Sequence, residues 1–431
     1  MAYWRGKLDD RRPLTRLGSV ILLVGLVSLG GVLDSAHAGV GGHKAVGHTP
    51  IFSSGCTVEK AGSASEPYTI PVTIGNQIFN LVPDTGSSNL IVGSSKCQEN
   101  CNLQNVYRGP LIPQPVVPMN FIRWNAESIC HRCDRRWGLD RHHAVPRVCP
   151  KPEDRGRLRV SPRGKACYQT RDGVIGLAYG TISVGGILPT FTALAAKGTP
   201  NGFTFQICDG YRGQKQKNGH LFLGGYPSQI LDGPIQSMKI EPADYYNVFV
   251  EEVLIAGKSV DFPQPVNTPP GRPNLPTRTI VDSGTTRIFL NTRENVDALL
   301  AAMGASGMVT FPPETTASEI KDFYSFKTAI RGAKVNSPKT FQIAVRAPGE
   351  SPPAIIDVDP ENLFRQTDQG LAQIGIAPEP GGGGTILGAR VFQGNVLMFD
   401  RSRGRIGIAS GRGCHETYSV DDIDTFFARV L

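Results

Sequence analysis

One short loop is written twice in this chain, each time behind an apolar lead-in that reads as a β-strand. The first copy is Asp84-Thr85-Gly86-Ser87-Ser88-Asn89-Leu90 and follows Leu81-Val82-Pro83; the second is Asp282-Ser283-Gly284-Thr285-Thr286 and follows Thr279-Ile280-Val281. Each copy has a distant companion of two branched apolar residues and a glycine. In Val174-Ile175-Gly176 the glycine lies 92 residues after the first aspartate, and in Ile386-Leu387-Gly388 it lies 106 after the second. A loop repeated together with its companion implies two homologous halves, with the two aspartates in equivalent places.

The chain between these landmarks favours strands. Tyr68–Ile74 alternates as a half-buried strand, Gly75-Asn76 supplies a turn, and Gln77–Val82 returns. Further short apolar runs bounded by Gly, Pro and Asn occur at Gly202–Ile207, Leu221–Gly225 and Val396–Asp400, so the fold class is mostly β. Helical patterns are few. Thr292–Met303 follows the second loop, and a tail from Ser419 places Val420, Ile423, Phe427 and Val430 on one face. Pro263–Pro276 reads as an extended surface loop.

An Asp-Thr/Ser-Gly turn suits a working carboxylate, because neighbouring N–H and hydroxyl groups fix its plane and glycine admits close backbone approach. Two such carboxylates facing each other cannot both ionise easily, so they share a proton, one acting as acid and the other as base. That arrangement activates water against an amide carbonyl. One Asp-Ser-Gly alone is ordinary turn chemistry; two in register, each with its companion, are not.

Together with "DGVIGLAY" at Asp172–Tyr179 and "FDRSRGRIGIA" at Phe399–Ala409, these motifs resemble the pepsin-like aspartic proteases, over Tyr68–Leu90 and again over Asp172–Ala409. The resemblance implies a bilobal pepsin-like fold with a substrate cleft between two homologous lobes. It implies Asp84 and Asp282 as the catalytic pair, peptide or protein substrates, a monomer, and neither cofactor nor metal. By the same resemblance Thr85 and Ser283 brace the loops, Gly86 and Gly284 admit backbone beside the carboxylates, and Ser87 and Thr285 hydrogen-bond around the pair. Cys97 and Cys101 match a local disulfide common in the family. A non-catalytic binding protein of the same fold is the alternative reading.

The expected layout is an export signal at 1–38, an N-terminal segment at 39–64, lobes at 65–233 and 234–410, and a tail with a short amphipathic helix at 411–431. The signal rests on basic Arg5, Lys7, Arg11, Arg12 and Arg16, an apolar run from Leu17 to Leu33 broken by glycines, and the small-residue site Ala36-His37-Ala38. It predicts a secreted or periplasmic protein without a stable membrane anchor.

The net charge of +8 is badly uneven. Tyr107–Arg171 holds 14 Lys/Arg against 5 Asp/Glu and four of the nine cysteines, so one window makes the whole chain basic. Its Cys130-x-x-Cys133 with His142-His143 offers metal-like ligands without a second pair at zinc spacing, and its arginines sit among prolines with no nucleic-acid-reading motif. The window also lies where the resembling family has a Tyr-Gly flap, and no Tyr-Gly occurs between Asp84 and Asp172. Read one nucleotide later, codons for Phe121-Ile122-Arg123-Trp124 permit Ser-Tyr-Gly-Gly, and those for Ile129–Cys133 permit Tyr-Ala-Thr-Gly-Ala. A frame-shifted segment, a divergent insertion and a metal site are the three readings; the first predicts that 107–171 is disordered and that this chain has very low activity.

Overall fold

The computed structural model describes residues 68–92, 172–208 and 217–412 with short interruptions, the strand segments 27–29, 47–53, 137–140, 143–146 and 423–425, and a few single positions. Strands dominate it. The hairpin Tyr68–Ile74 and Gln77–Asp84 pairs Ile70 with Leu81 and Ile74 with Gln77, which turns Ile70, Val72, Phe79 and Leu81 into the core. Period-two alternation shows in the burial of Ile70–Thr73 and Ile78–Leu81, while both strand ends toward the loop, Tyr68–Ile70 and Leu81–Asp84, are buried throughout.

The same three-strand arrangement carries both Asp loops. Gln77–Asp84 enters the first loop parallel to Gly173–Gly176, and Leu90–Val92 leaves it antiparallel to that same strand. Thr279–Val281 enters the second loop parallel to Ile386–Leu387, and Ile288–Leu290 leaves antiparallel to it. In each half the apolar-apolar-Gly companion is thus the central strand that holds both ends of the loop.

Pro83 removes a backbone donor from a strand with neighbours on both sides, yet no ladder bond is lost. Asn80 and Asp84 turn their carbonyls toward Gly173–Gly176, so Pro83, an odd number of residues from each, faces the other way. On that side the pairing with Tyr68–Ile74 has already ended at Leu81.

The described strands form an 11-stranded sheet, an 8-stranded sheet and four two-stranded ones. Asn395–Asp400 and Arg405–Ser410 hydrogen-bond with Gly202–Ile207 and Gln236–Lys239 in the first of these, so the chain crosses back after its second loop and a cut at residue 233 does not separate the sheets. Val27–Leu29, inside the expected export signal, pairs antiparallel with Val72–Ile74. No described helix is long and apolar enough to cross a membrane.

Arg293–Ala305 is a helix capped by Thr292, whose side chain accepts from Asn295 N, and it buries Val296, Leu299, Leu300 and Met303 at helical spacing. Two further helices, Thr190–Ala196 and Ala317–Tyr324, were not expected from the sequence. The tail differs from expectation: Ile423–Thr425 is a strand paired with Gly225–Pro227, and Ile423 and Tyr418 bury against Phe222 and Ile230. Sheet pairing and that apolar patch outweigh the four-residue period. Pro263–Pro276 is also not simply a surface loop. Asn267 is buried and clamps Val250, accepting from its N–H at 2.8 Å and donating to its carbonyl at 2.7 Å.

Within 107–171 the described residues are Tyr107, Arg108 and a hairpin of Trp137–Asp140 with His143–Pro146; the rest of the window, and with it the expected disorder, lies outside the described residues. Cys97 and Cys101, with their expected disulfide, lie outside them too.

Candidate active site

The two loops bring Asp84 and Asp282 together with matching partners. Gly86 N donates to Asp84 Oδ1 at 2.8 Å and Ser87 Oγ to Asp84 Oδ2 at 2.5 Å. Gly284 N donates to Asp282 Oδ1 at 2.8 Å and Thr285 Oγ1 to Asp282 Oδ2 at 2.6 Å. Each carboxylate is therefore fixed by one amide two residues on and one hydroxyl three residues on. Hydrogen bonds of this kind set the plane of the carboxylate as well as its energy.

Thr85 and Ser283 lock the loops to each other. Thr85 N donates to Ser283 Oγ at 3.0 Å, and Ser283 N donates to Thr85 Oγ1 at 2.9 Å. The hydroxyls then donate onward, Thr85 Oγ1 to Val281 O at 2.9 Å and Ser283 Oγ to Pro83 O at 2.6 Å. All four bonds are buried and reciprocal, which is what a local twofold relation requires.

Gly86 and Gly284 face the opposite carboxyl groups. A Cβ on Gly86 would lie 2.6 Å from Asp282 Cγ, and one on Gly284 would lie 2.5 Å from Asp84 Cγ. Glycine is needed because any side chain would occupy the space between the two acids. The companions show the same logic: a Cβ on Gly176 would strike the Ser88 backbone, and one on Gly388 the carbonyls of Thr285 and Arg287.

Burial and the nearby Asp282 carboxyl, in that order, hold Asp84 well above the usual carboxylate range, against the opposing bonds from Ser87 and Gly86. Asp84 is almost fully buried and Asp282 half-buried. The arrangement suits one shared proton.

Several supporting residues escaped the sequence reading. Ser88 Oγ donates to Tyr179 O at 2.5 Å, and Asn89 holds Val184 from both ends, accepting from its N–H at 3.1 Å and donating to its carbonyl at 3.2 Å. The signal was present in the first loop, which continues as Ser-Ser-Asn where the second gives Thr-Thr. Asp172 accepts from Asn80 N at 2.7 Å and sits at the start of the first companion strand; burial raises its pKa. Among the described residues no group of three or more His, Cys, Asp or Glu could hold a metal ion.

The profile of the eukaryotic aspartyl protease family matches residues 67–110 and 159–411. The chain belongs to that family. Its relatives include gastricsin of Macaca fuscata fuscata, 24% identical over 79% of this chain and 82% of that protein. Gastricsin of Oryctolagus cuniculus is 26% identical over 54% of this chain and 57% of that protein, so the alignment spans little more than half of its length. Cathepsin E of Oryctolagus cuniculus is 26% identical over 60% and 63% respectively. The two matched stretches hold both Asp loops and both companions, and the unmatched interval from 111 to 158 falls inside the basic window.

Proposed function

We propose that this protein is an aspartic endopeptidase that cleaves extended peptide or protein substrates at acid pH, through a water held between Asp84 and Asp282. One carboxyl takes a proton from the water as oxygen attacks the amide carbon, and the other donates to the developing oxyanion; the roles then exchange as the leaving nitrogen is protonated. The observation that carries the reading is the matched pair of carboxylates, each held by an amide and a hydroxyl and each facing the other loop's glycine. The raised pKa of Asp84 supports an acid optimum, since the pair must keep one proton to work. Apolar side chains around the scissile bond, a monomeric state and export to a secreted or periplasmic location belong to the same proposal.

The chain with its present 107–171 window is proposed to be nearly inactive. Support comes from the charge anomaly, the absent Tyr-Gly, and the family profile's gap at 111–158 inside that window. Resequencing the coding DNA tests this: a one-nucleotide difference near each end of the window restores the flap. The frame-restored chain is then expected to hydrolyse an unfolded protein at acid pH. Hydrolysis that survives both Asp84→Asn and Asp282→Asn would refute the enzyme. A non-catalytic binding protein, favoured only by the absent Tyr-Gly, would bind no transition-state mimic.

A further inference from the structure

We propose that Tyr246 is a positioning residue for the catalytic pair, coupling the two Asp loops through a closed circuit of hydrogen bonds; the inference rests on the protease reading above. Tyr246 is wholly buried just ahead of the strand Asn247–Ile255. Its hydroxyl donates to Leu177 O at 2.7 Å, and Leu177 N donates to Asp84 O at 2.8 Å. Its own carbonyl accepts from Val281 N at 2.9 Å, one residue before Asp282. Val281 O accepts from Thr85 Oγ1 at 2.9 Å, one residue after Asp84, and the circuit closes.

Among the described residues the circuit has no counterpart in the other half. Leu177 follows Gly176 as Ala389 follows Gly388, and both send an N–H into their Asp loop, Leu177 to Asp84 O and Ala389 to Thr285 O at 2.6 Å, the latter matching Ala178 N to Ser87 O at 2.8 Å in the first half. The Ala389 carbonyl is then taken by Phe392 N in a local backbone turn at 3.1 Å, whereas the Leu177 carbonyl is taken by a side chain 69 residues away in sequence. Tyr246 thus ties the first loop to the strand feeding the other aspartate.

The ring is held from several sides. Phe399 lies 4.6 Å away, Tyr179 5.2 Å and Phe203 5.9 Å, centroid to centroid. Arg401 covers Tyr179 at 4.8 Å; it and Tyr179 are the titratable neighbours that act on Tyr246. A hydroxyl in such a box has little freedom, so movement of Leu177 or Val281 is transmitted instead of absorbed.

The test reads the aspartates without needing turnover. The full chain is labelled with ¹³C at the aspartate carboxyl carbons, and Asp84 is titrated in the unsubstituted chain, in Tyr246→Phe and in Tyr324→Phe, a half-buried tyrosine whose buried hydroxyl has no partner among the described residues. Asp84 is expected to titrate above the ordinary range in the unsubstituted chain and in Tyr324→Phe. In Tyr246→Phe its midpoint should move by roughly half a pH unit or more. A Tyr246→Phe chain with a lowered Tm and an unmoved Asp84 midpoint would overturn the coupling and leave only a packing role. An ordinary Asp84 midpoint in the unsubstituted chain would overturn the paired-carboxylate reading itself, and the coupling with it. Should Tyr246→Phe fold too poorly to titrate, 3-fluorotyrosine placed at position 246 keeps the donor: its ¹⁹F resonance should move with the Asp84 titration, and a silent resonance overturns the proposal.

Discussion

The two Asp loops are nearly superimposable in their bonding, yet the halves that carry them are built differently. Both carboxylates take an amide from two residues on and a hydroxyl from three residues on, and both loops hang on a branched-branched-Gly strand. Around the second loop stand the helices Arg293–Ala305 and Ala317–Tyr324 and an 8-stranded sheet whose strands run from Asn247–Ile255 to Ile386–Leu387. Around the first, the basic window 107–171 stands apart in composition, and the family profile does not match its 111–158. The difference teaches that the site's geometry is set by four local bonds to the carboxylates and four cross-links between the loops. The surrounding half decides whether that geometry is covered and stable.

The comparison is sharpened most by removing either acid. If the loops are equivalent halves of one site, Asp84→Asn and Asp282→Asn should each lower peptide hydrolysis by the frame-restored chain by about 10²–10⁴-fold. Unequal losses would mean that the loops differ in chemistry despite their matching bonds. Next come the glycines. Gly86→Ala and Gly284→Ala each push a Cβ into the opposite carboxyl and are expected to lower folding stability by about 1–3 kcal/mol, read by denaturant unfolding, with activity lost as well.

The brace between the loops gives a smaller and more diagnostic effect. Thr85→Val and Ser283→Ala should each cost about 1–3 kcal/mol, because each strands buried partners. The two substitutions remove different bonds of one reciprocal brace, so the double substitution should depart from the sum by about 0.5–3 kcal/mol. Strict additivity would break the claim that the two loops act as one unit.

Acidity provides a further contrast. The folded chain binds the Asp84 proton more tightly than the unfolded chain does, so this contribution to stability is full below the ordinary carboxylate range. It is lost as pH rises through the raised folded value. A Tm profile across acid to neutral pH should therefore fall with rising pH, and Asp84→Asn should flatten that part of it. The smallest effect lies far from the site. Thr316→Ala opens the capping box with Glu319 and should lower Tm by a few degrees or less, leaving inhibitor binding unchanged.

How much of this was legible follows from which interactions are local. Asp84, Asp282 and their hydroxyl and glycine neighbours could be read directly, because the bonds that hold them span two or three residues. The Thr85 to Ser283 brace spans 198 residues and entered only through the family resemblance. Tyr246 could not be read at all: its partner Leu177 is 69 residues away and carries no mark in its side chain, since the bond is to a carbonyl. The capping box of Ala317–Tyr324 is written as Thr316-x-x-Glu319, a short local signal among strand patterns, whereas Ile423–Thr425 has helical spacing and takes strand form through a partner strand and an apolar patch that the sequence does not show.

The central claim is that the two loops make one proton-sharing site. It is tested most directly by calorimetric titration of the frame-restored chain, at acid pH, with a peptide that carries a tetrahedral hydroxyl in place of the scissile carbonyl. The account predicts saturable binding that weakens as pH rises and is lost in both Asp84→Asn and Asp282→Asn. Binding that persists undiminished when both aspartates are replaced would contradict it.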